Sequence, residues 1–209
     1  QSPKFGGGFT AKAALSMHNG TMIDTRAPRA DDETAINEKS KAYDLGLNYK
    51  AGNLDVAAAY EHYEEVATKE GERDGFRLAA SYKVTPALNL AGLYQFTTHD
   101  QDVGVNADAH VLGVAADYKF APKTYVRGQV FHREVDSDDA NSTLLALGLE
   151  HRFDSQLRMY GNLAAVMNDD NANLTPWSQA RSNKPSSSQG VNAAGETPLG
   201  LSVGMRYDF

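Results

Sequence analysis

The chain closes with the segment Leu199-Gly-Leu-Ser-Val-Gly-Met-Arg-Tyr-Asp-Phe209, in which a large apolar residue occupies every second position. The residues between them are small or charged. A period of two is typical of a β-strand, because successive side chains of a strand point to opposite faces of the sheet. This segment therefore predicts a strand with one wholly apolar face and one polar face.

The same alternation recurs along the chain, whereas helical periodicity is weak. Ten segments show it, at 8–17, 41–51, 53–64, 74–85, 87–98, 108–121, 123–134, 142–154, 156–168 and 196–209. Each has about the length of a tilted strand that crosses a bilayer. No apolar run approaches the roughly 20 residues that a membrane helix needs, which excludes helical spans.

The connections between these segments are alternately short and long. Short turns are predicted at 52–53, 85–86, 121–122 and 154–155, and long polar loops at 18–40, 65–73, 99–107, 135–141 and 169–195. Transmembrane barrels have this arrangement, with short periplasmic turns and long extracellular loops. A water-soluble β-sandwich has no reason to sort its loops in this way.

Aromatic residues on the apolar face gather at the strand ends. A membrane girdle near the short turns and the chain end is predicted from Tyr49, Tyr82, Phe120, Phe153, Tyr207 and Phe209. Aromatic rings suit the headgroup layer of a bilayer, whereas a soluble sandwich or lipocalin-like barrel would place them in mid-strand. The sequence thus predicts an all-β, antiparallel transmembrane β-barrel that forms a single domain over residues 1–209. Such a sheet must close, because backbone groups in lipid must all be hydrogen-bonded.

Three stretches resemble Gram-negative general porins, especially those of β-proteobacteria. They are Gly200-Leu-Ser-Val-Gly-Met-Arg-Tyr-Asp-Phe209, the pair Leu147-Gly-Leu-Glu-His-Arg-Phe153 and Leu157-Arg-Met-Tyr-Gly161, and Ser2-Pro-Lys-Phe-Gly-Gly-Gly-Phe-Thr-Ala-Lys-Ala-Ala14. The resemblance implies an outer-membrane porin of a Gram-negative bacterium. It also implies a surrounding of lipid and lipopolysaccharide, small hydrophilic solutes as cargo, and a homotrimer.

The chain is shorter than members of this family, which have sixteen strands. The ten predicted strands would correspond to the last ten, so either the chain is the C-terminal part of a larger porin or it closes as a reduced barrel. Gln1 begins in polar, glycine-rich sequence with no signal peptide, as expected of a processed chain or a piece of a longer one.

The face opposite the aromatic residues is predicted to line a water-filled lumen. Its basic members are Lys12, Lys50, Arg77, Lys83, Lys119, Arg127, Arg133, Arg152, Arg158 and Arg206; its acidic members are Asp44, Asp55, Glu61, Asp117, Glu150 and Asp208. This wall is net positive although the whole chain carries −7. A positive wall favours anion passage, unless cross-strand ion pairs neutralise it. We therefore predict a passive channel for ions and small hydrophilic solutes, weakly favouring anions.

Other activities have weaker support. The chain has no cysteine, which removes thiolate metal sites and cysteine nucleophiles, and it has no basic stripe for nucleic acid. Asp100, Asp102, Asp108 and His110 suggest an outer-membrane protease, but they share one connection, whereas a water-activating pair must face its partners across a cleft. No catalytic residue, metal or cofactor is predicted.

The alternative to a channel is a structural scaffold barrel. Such a barrel would be plugged by its own loop 18–40 or 169–195, or it would be partnered in a larger complex.

Overall fold

The computed structural model describes residues 1–17, 41–63, 71–101, 108–176 and 193–209. Ten strands run in these ranges: β1 (Phe9–Met17), β2 (Lys41–Ala51), β3 (Leu54–Tyr63), β4 (Gly71–Lys83), β5 (Leu88–Gln101), β6 (Ala109–Ala121), β7 (Thr124–Val135), β8 (Ser142–Arg152), β9 (Leu157–Asn168) and β10 (Leu199–Tyr207). They form one antiparallel sheet whose strand order follows the chain. The predicted all-β class and all ten strands are confirmed.

No helix in the described ranges is long and apolar enough to cross a membrane.

Two strands extend beyond the ends that the sequence predicted. β4 begins at Gly71 instead of 74, and β5 continues to Gln101 instead of 98. The prediction followed the alternation of hydropathy, which is absent over polar residues such as Glu72 and Arg73. The hydrogen-bonded ladder does not stop there, since it depends on the backbone and not on side-chain polarity. Loop 18–40 and residues 177–192 of the predicted loop 169–195 lie outside the described residues.

The described residues form two compact units. Unit 1 contains residues 1–80 and 94–110, and unit 2 contains residues 81–93 and 111–209. In unit 1, β2 pairs with β1 and β3; in unit 2, β7 to β10 pair in succession. The single domain over residues 1–209 stays a prediction.

The apolar face of the sheet is open in both units. Leu45 on β2 is 57% exposed, Leu147 on β8 is 56% exposed and Leu201 on β10 is 76% exposed. Among the described residues, no large side chain is fully buried. Because a buried Leu side chain is worth about 1.5–3 kcal/mol, a water-soluble fold would cover these residues. The exposed face contradicts the sandwich alternative and fits a sheet that is covered by lipid.

Aromatic rings on the polar face of unit 2 lie over glycines. Phe131 covers Gly113, and Tyr160 covers Gly204, so that a Cβ atom at either glycine would overlap the ring. Glycine weakens a strand unless a neighbouring side chain packs over it. These rings brace the sheet from its polar side, a role that the girdle prediction did not include.

Candidate functional site on the polar face

Four charged side chains of unit 2 form a continuous network on the polar face. Arg127 donates from Nε to Asp117 Oδ2 at 2.6 Å and from Nη1 to Glu150 Oε2 at 3.0 Å. The other oxygen of Glu150, Oε1, accepts from Arg152 Nε at 2.7 Å. The network holds two positive and two negative charges, so its net charge is zero.

Glu150 is the most buried residue of the network, with 6% of its surface exposed. A carboxylate at such a depth needs charged partners, because an unpaired buried charge is costly. The register supplies them: Arg127 lies opposite Gly148 on β8, two residues before Glu150, and Arg152 follows Glu150 by two residues. All three side chains therefore emerge on one face.

Tyr125 supports this network, although sequence reasoning missed it. Its backbone lies opposite Glu150. The Arg152 guanidinium carbon lies 4.3 Å from the centre of the Tyr125 ring, and that of Arg127 lies 6.0 Å away. Both are within cation–π range. The alternation of β7 already placed Tyr125 and Arg127 on one face, so the signal was present in the sequence.

A second cluster lies at the end of β10. Asp208 accepts from Arg206 Nε at 2.6 Å and from Arg158 Nη2 at 3.2 Å. The Arg206 guanidinium lowers the pKa of the Asp208 carboxyl below its ordinary value, and Arg158 acts in the same direction. Two positive charges here share one negative charge.

The predicted wall residues of unit 1 are arranged differently. Lys50 pairs with Asp55 at 2.9 Å across the β2–β3 turn, and Arg77 Nε donates to Gln95 Oε1 at 2.9 Å. Asp44 lies directly opposite Glu61 in the register. A recess of about 450 Å³ brings together Lys12, Asp44, Glu61, Arg73 and Arg77, of which Arg73 was not predicted.

Three predicted bases remain in the region of β4 to β7. Arg133 donates weakly to the Ala140 carbonyl oxygen at 3.5 Å. In the part of the chain that the structure describes, Lys83 and Lys119 form no ion pair. Lys83 and Lys119 are exposed.

Unit 2 has its own open recess beside the Arg127 network, with a volume of about 990 Å³. Small residues such as Ala146 and Gly148 line it, together with polar residues that include Asn89, Gln129, Asn162 and Ser202. Sequence reasoning, which followed charges, missed these neutral groups.

The predicted girdle residues lie on the apolar side of the sheet. Tyr49 is half-buried and packs against Phe9, with ring centres 4.5 Å apart. The others are exposed: Tyr82, Phe120, Phe153, Tyr207 and Phe209. Their role as a membrane girdle stays a prediction.

Among the described residues of the protease hypothesis, Asp108 and His110 do not form a hydrogen-bonded couple. His110 Nδ1 lies 2.9 Å from the Tyr94 hydroxyl, and its ring stacks on Phe96 at 4.5 Å. Its neighbour in sequence, Asp108, makes no hydrogen bond to it within the described residues. Asp102 lies outside the described residues.

Comparisons with known proteins agree with this fold. The family profile described as Gram-negative porin matches residues 1–171. Outer membrane porin protein 32 of Delftia acidovorans is 29% identical over this whole chain, which spans 54% of that protein. The solved anion-selective porin from Comamonas acidovorans has a TM-score of 0.77 and 25% identity, with 100% of this chain and 57% of that one covered.

A more distant structure shows the fold alone. OmpT, an outer membrane protein of Vibrio cholerae, has a TM-score of 0.64 and 18% identity over 98% of this chain and 62% of its own. The chain thus spans little more than half the length of the relatives that it matches. Its alternating strands, open apolar face and profile match lead to one conclusion: the chain belongs to the Gram-negative porin family and has the fold of an outer-membrane β-barrel.

Proposed function

We propose that the protein is a passive diffusion channel for ions and small hydrophilic solutes, and that its polar face lines the lumen and favours anions. The observation that carries this proposal is the incomplete neutralisation of the polar face. Ten predicted bases stand against six acids. Ion pairing cancels the charge of the Arg127 network and of Lys50 with Asp55, but leaves a surplus elsewhere.

The surplus has two sources. Asp208 offsets only one of the charges of Arg158 and Arg206. Beyond that cluster, five bases have no carboxylate within ion-pair distance in the described ranges, against two such acids; the bases are Lys12, Arg77, Lys83, Lys119 and Arg133, and the acids are Asp44 and Glu61. A positive wall raises the local concentration of anions. The name of the Comamonas relative, an anion-selective porin, supports the same sign.

The proposal includes no catalytic residue, cofactor or metal. Among the described residues, no group of three His, Asp or Glu side chains could hold a metal ion. The proposed surroundings are lipid, lipopolysaccharide and, by analogy with the family, two further copies in a homotrimer. These partners rest on family membership and on the open apolar face.

The selectivity is testable in planar bilayers with the full-length protein. We expect stepwise openings and, across a KCl gradient, a reversal potential displaced toward that of chloride. The double variant Lys83→Gln/Lys119→Gln removes two unpaired charges and should bring the chloride-to-potassium permeability ratio closer to one. Lys123→Gln, in the short turn between β6 and β7, removes a charge outside the strands and serves as the control.

The double variant Arg127→Ala/Arg152→Ala should shift the ratio further, because it also leaves Asp117 and Glu150 unpaired. If these variants match the wild type, the positive wall does not set the selectivity. If the wild type shows no openings, a plugged or partnered scaffold explains the protein better than a channel. A peptide-cleavage assay that shows no turnover would exclude the hypothesis that the protein is a protease.

A further inference from the structure

The recess of unit 1 contains two carboxylates side by side. Asp44 of β2 lies directly opposite Glu61 of β3, and both line the recess. Residues opposed in an antiparallel pair have Cα atoms about 4.5–5.5 Å apart, and like charges in such a pair destabilise a sheet. In the part of the chain that the structure describes, neither carboxylate has a base within ion-pair distance. A cationic group from outside the chain would therefore be stabilised here.

A neutral side chain is the hydrogen-bond partner of this pair. The Tyr63 hydroxyl donates to Glu61 Oε1 at 3.3 Å, a long hydrogen bond that leaves the negative charge in place. Among the described residues, no side chain donates to Glu61 Oε2 or to Asp44. Glu61 is exposed and Asp44 is half-buried, so a solute in the recess can reach both.

A base lies at the neighbouring level of the same face, two residues closer to the β2–β3 turn. Lys12 of β1 is opposite Gly46, which follows Asp44 by two residues. Gly46 is in turn opposite Ala59, which precedes Glu61 by two residues. Two residues along a strand span about 6.8 Å, so the acidic and the basic level are about 7 Å apart.

Arg77 of β4 belongs to the same basic level. A Cβ atom at Gly75 would lie 3.8 Å from the Cβ of Glu61, so Gly75 is the neighbour of Glu61 on β4. Arg77 follows Gly75 by two residues and is therefore next to Ala59. Its Nε donates to Gln95 Oε1 at 2.9 Å, which orients the guanidinium. Its other N–H groups have no acceptor in the described ranges.

Small residues separate the two bases. Gly46 and Ala59 lie between Lys12 and Arg77 in the register, and all four line the recess. A Cβ atom at Gly46 would have no neighbour closer than 3.9 Å, so there is open space over this glycine. The recess, with a volume of about 450 Å³, thus presents acids at one level and bases at the next.

We propose that this recess binds a free α-amino acid as its zwitterion, with the ammonium on Asp44 and Glu61 and the carboxylate on Lys12 and Arg77. A single carbon joins the two charged groups of such a solute, so one molecule can contact both levels. The guanidinium suits the carboxylate because it binds through parallel N–H···O bonds. The site rests on the proposed function in one respect, that solute reaches this face from a water-filled lumen. It goes beyond a positive wall, since it selects a solute without net charge.

Binding is tested by equilibrium dialysis of the detergent-solubilised, full-length protein with radiolabelled glycine at neutral pH. The wild type should bind glycine saturably. Acetate and methylammonium each carry only one of the two charges. Each should therefore compete at least about tenfold less well than unlabelled glycine, which corresponds to about 1.4 kcal/mol.

Glu61→Gln and Arg77→Gln remove opposite charges, yet both should weaken glycine binding at least about tenfold. Glycine has no net charge, so a wall that acts only through its net charge predicts no effect of either substitution. Glu196→Gln and Lys123→Gln are the matched controls, because they remove the same charges outside the strands and outside the recess. Both controls should keep the wild-type affinity.

Gly46→Leu fills the open space without changing any charge, so it carries the test if a charge variant does not fold; it should abolish glycine binding. Three results would overturn the site: no saturable binding in the wild type, acetate competing as well as glycine, or wild-type affinity in Glu61→Gln or Arg77→Gln. This assay needs no conduction. A channel that conducts without binding glycine refutes the site alone, and glycine binding by a protein that does not conduct refutes the channel alone.

Discussion

Leu147→Arg should lower the free energy of unfolding by about 2–4 kcal/mol, the range for a cationic side chain at the bilayer midplane of a transmembrane barrel. Leu147 lies near the middle of β8, between Gly128 and Leu163 of the neighbouring strands, and its side chain is open on the apolar face. An arginine there would have to enter lipid without a carboxylate. Urea unfolding in lipid vesicles, followed by tryptophan fluorescence, measures the change.

The neighbouring residue provides the control. Ala146 points to the other face of β8, where it lines the open recess of unit 2. Ala146→Arg should change stability by less than about 1 kcal/mol, because the new charge meets water. Equal losses in the two variants, or a greater loss for Ala146→Arg, would mean that the faces have been assigned the wrong way round.

Arg127→Ala should produce the second large effect, on both stability and selectivity. The substitution removes one of the two arginines that hold Glu150 and the only ion-pair partner of Asp117 among the described residues. We expect a loss of roughly 1–3 kcal/mol, the cost of leaving a shielded charge-assisted hydrogen bond unmade, reduced by the partial exposure of Arg127. The reversal potential should move toward that of potassium, since two carboxylates lose a counter-charge.

A double-mutant cycle with Glu150→Gln separates pairing from packing. In the Glu150→Gln background, the stability lost through Arg127→Ala should be smaller, because the carboxylate that needed the arginine is gone. If the loss is the same in both backgrounds, Arg127 acts through packing and the charge network contributes little.

The sequence predicted strand bounds best where the alternation and the residues that end it both lie within one segment. The bounds of β2 were predicted as observed, because Lys41–Ala51 alternates between two turn signals. The bounds of β4 were not, because its first residues are polar on both faces and lack a hydropathy signal. On β8, the residues predicted to share the apolar face, Leu145, Leu147 and Leu149, are the exposed ones, since alternation fixes the face of each residue.

Contacts between strands were less predictable. The sequence indicated that cross-strand ion pairs could neutralise the wall, but it did not identify Asp117 and Arg127 as partners, because their contact depends on how neighbouring strands are placed. The same holds for Tyr125 under Arg152 and for Phe131 over Gly113. The alternation of a strand places such an aromatic residue on the polar face, but it does not identify the guanidinium or glycine that the ring contacts, because that depends on the register of the neighbouring strand.

The most direct test of the whole account is the accessibility of spin labels placed singly at residues 144–149 on β8 in lipid vesicles. Labels at Leu145, Leu147 and Leu149 should collide mainly with oxygen dissolved in the bilayer, and labels at Leu144, Ala146 and Gly148 mainly with a water-soluble nickel complex. That alternation, in this phase, means that the apolar face contacts acyl chains and the charged face contacts water. The opposite phase, or equal accessibility at all six positions, would contradict it.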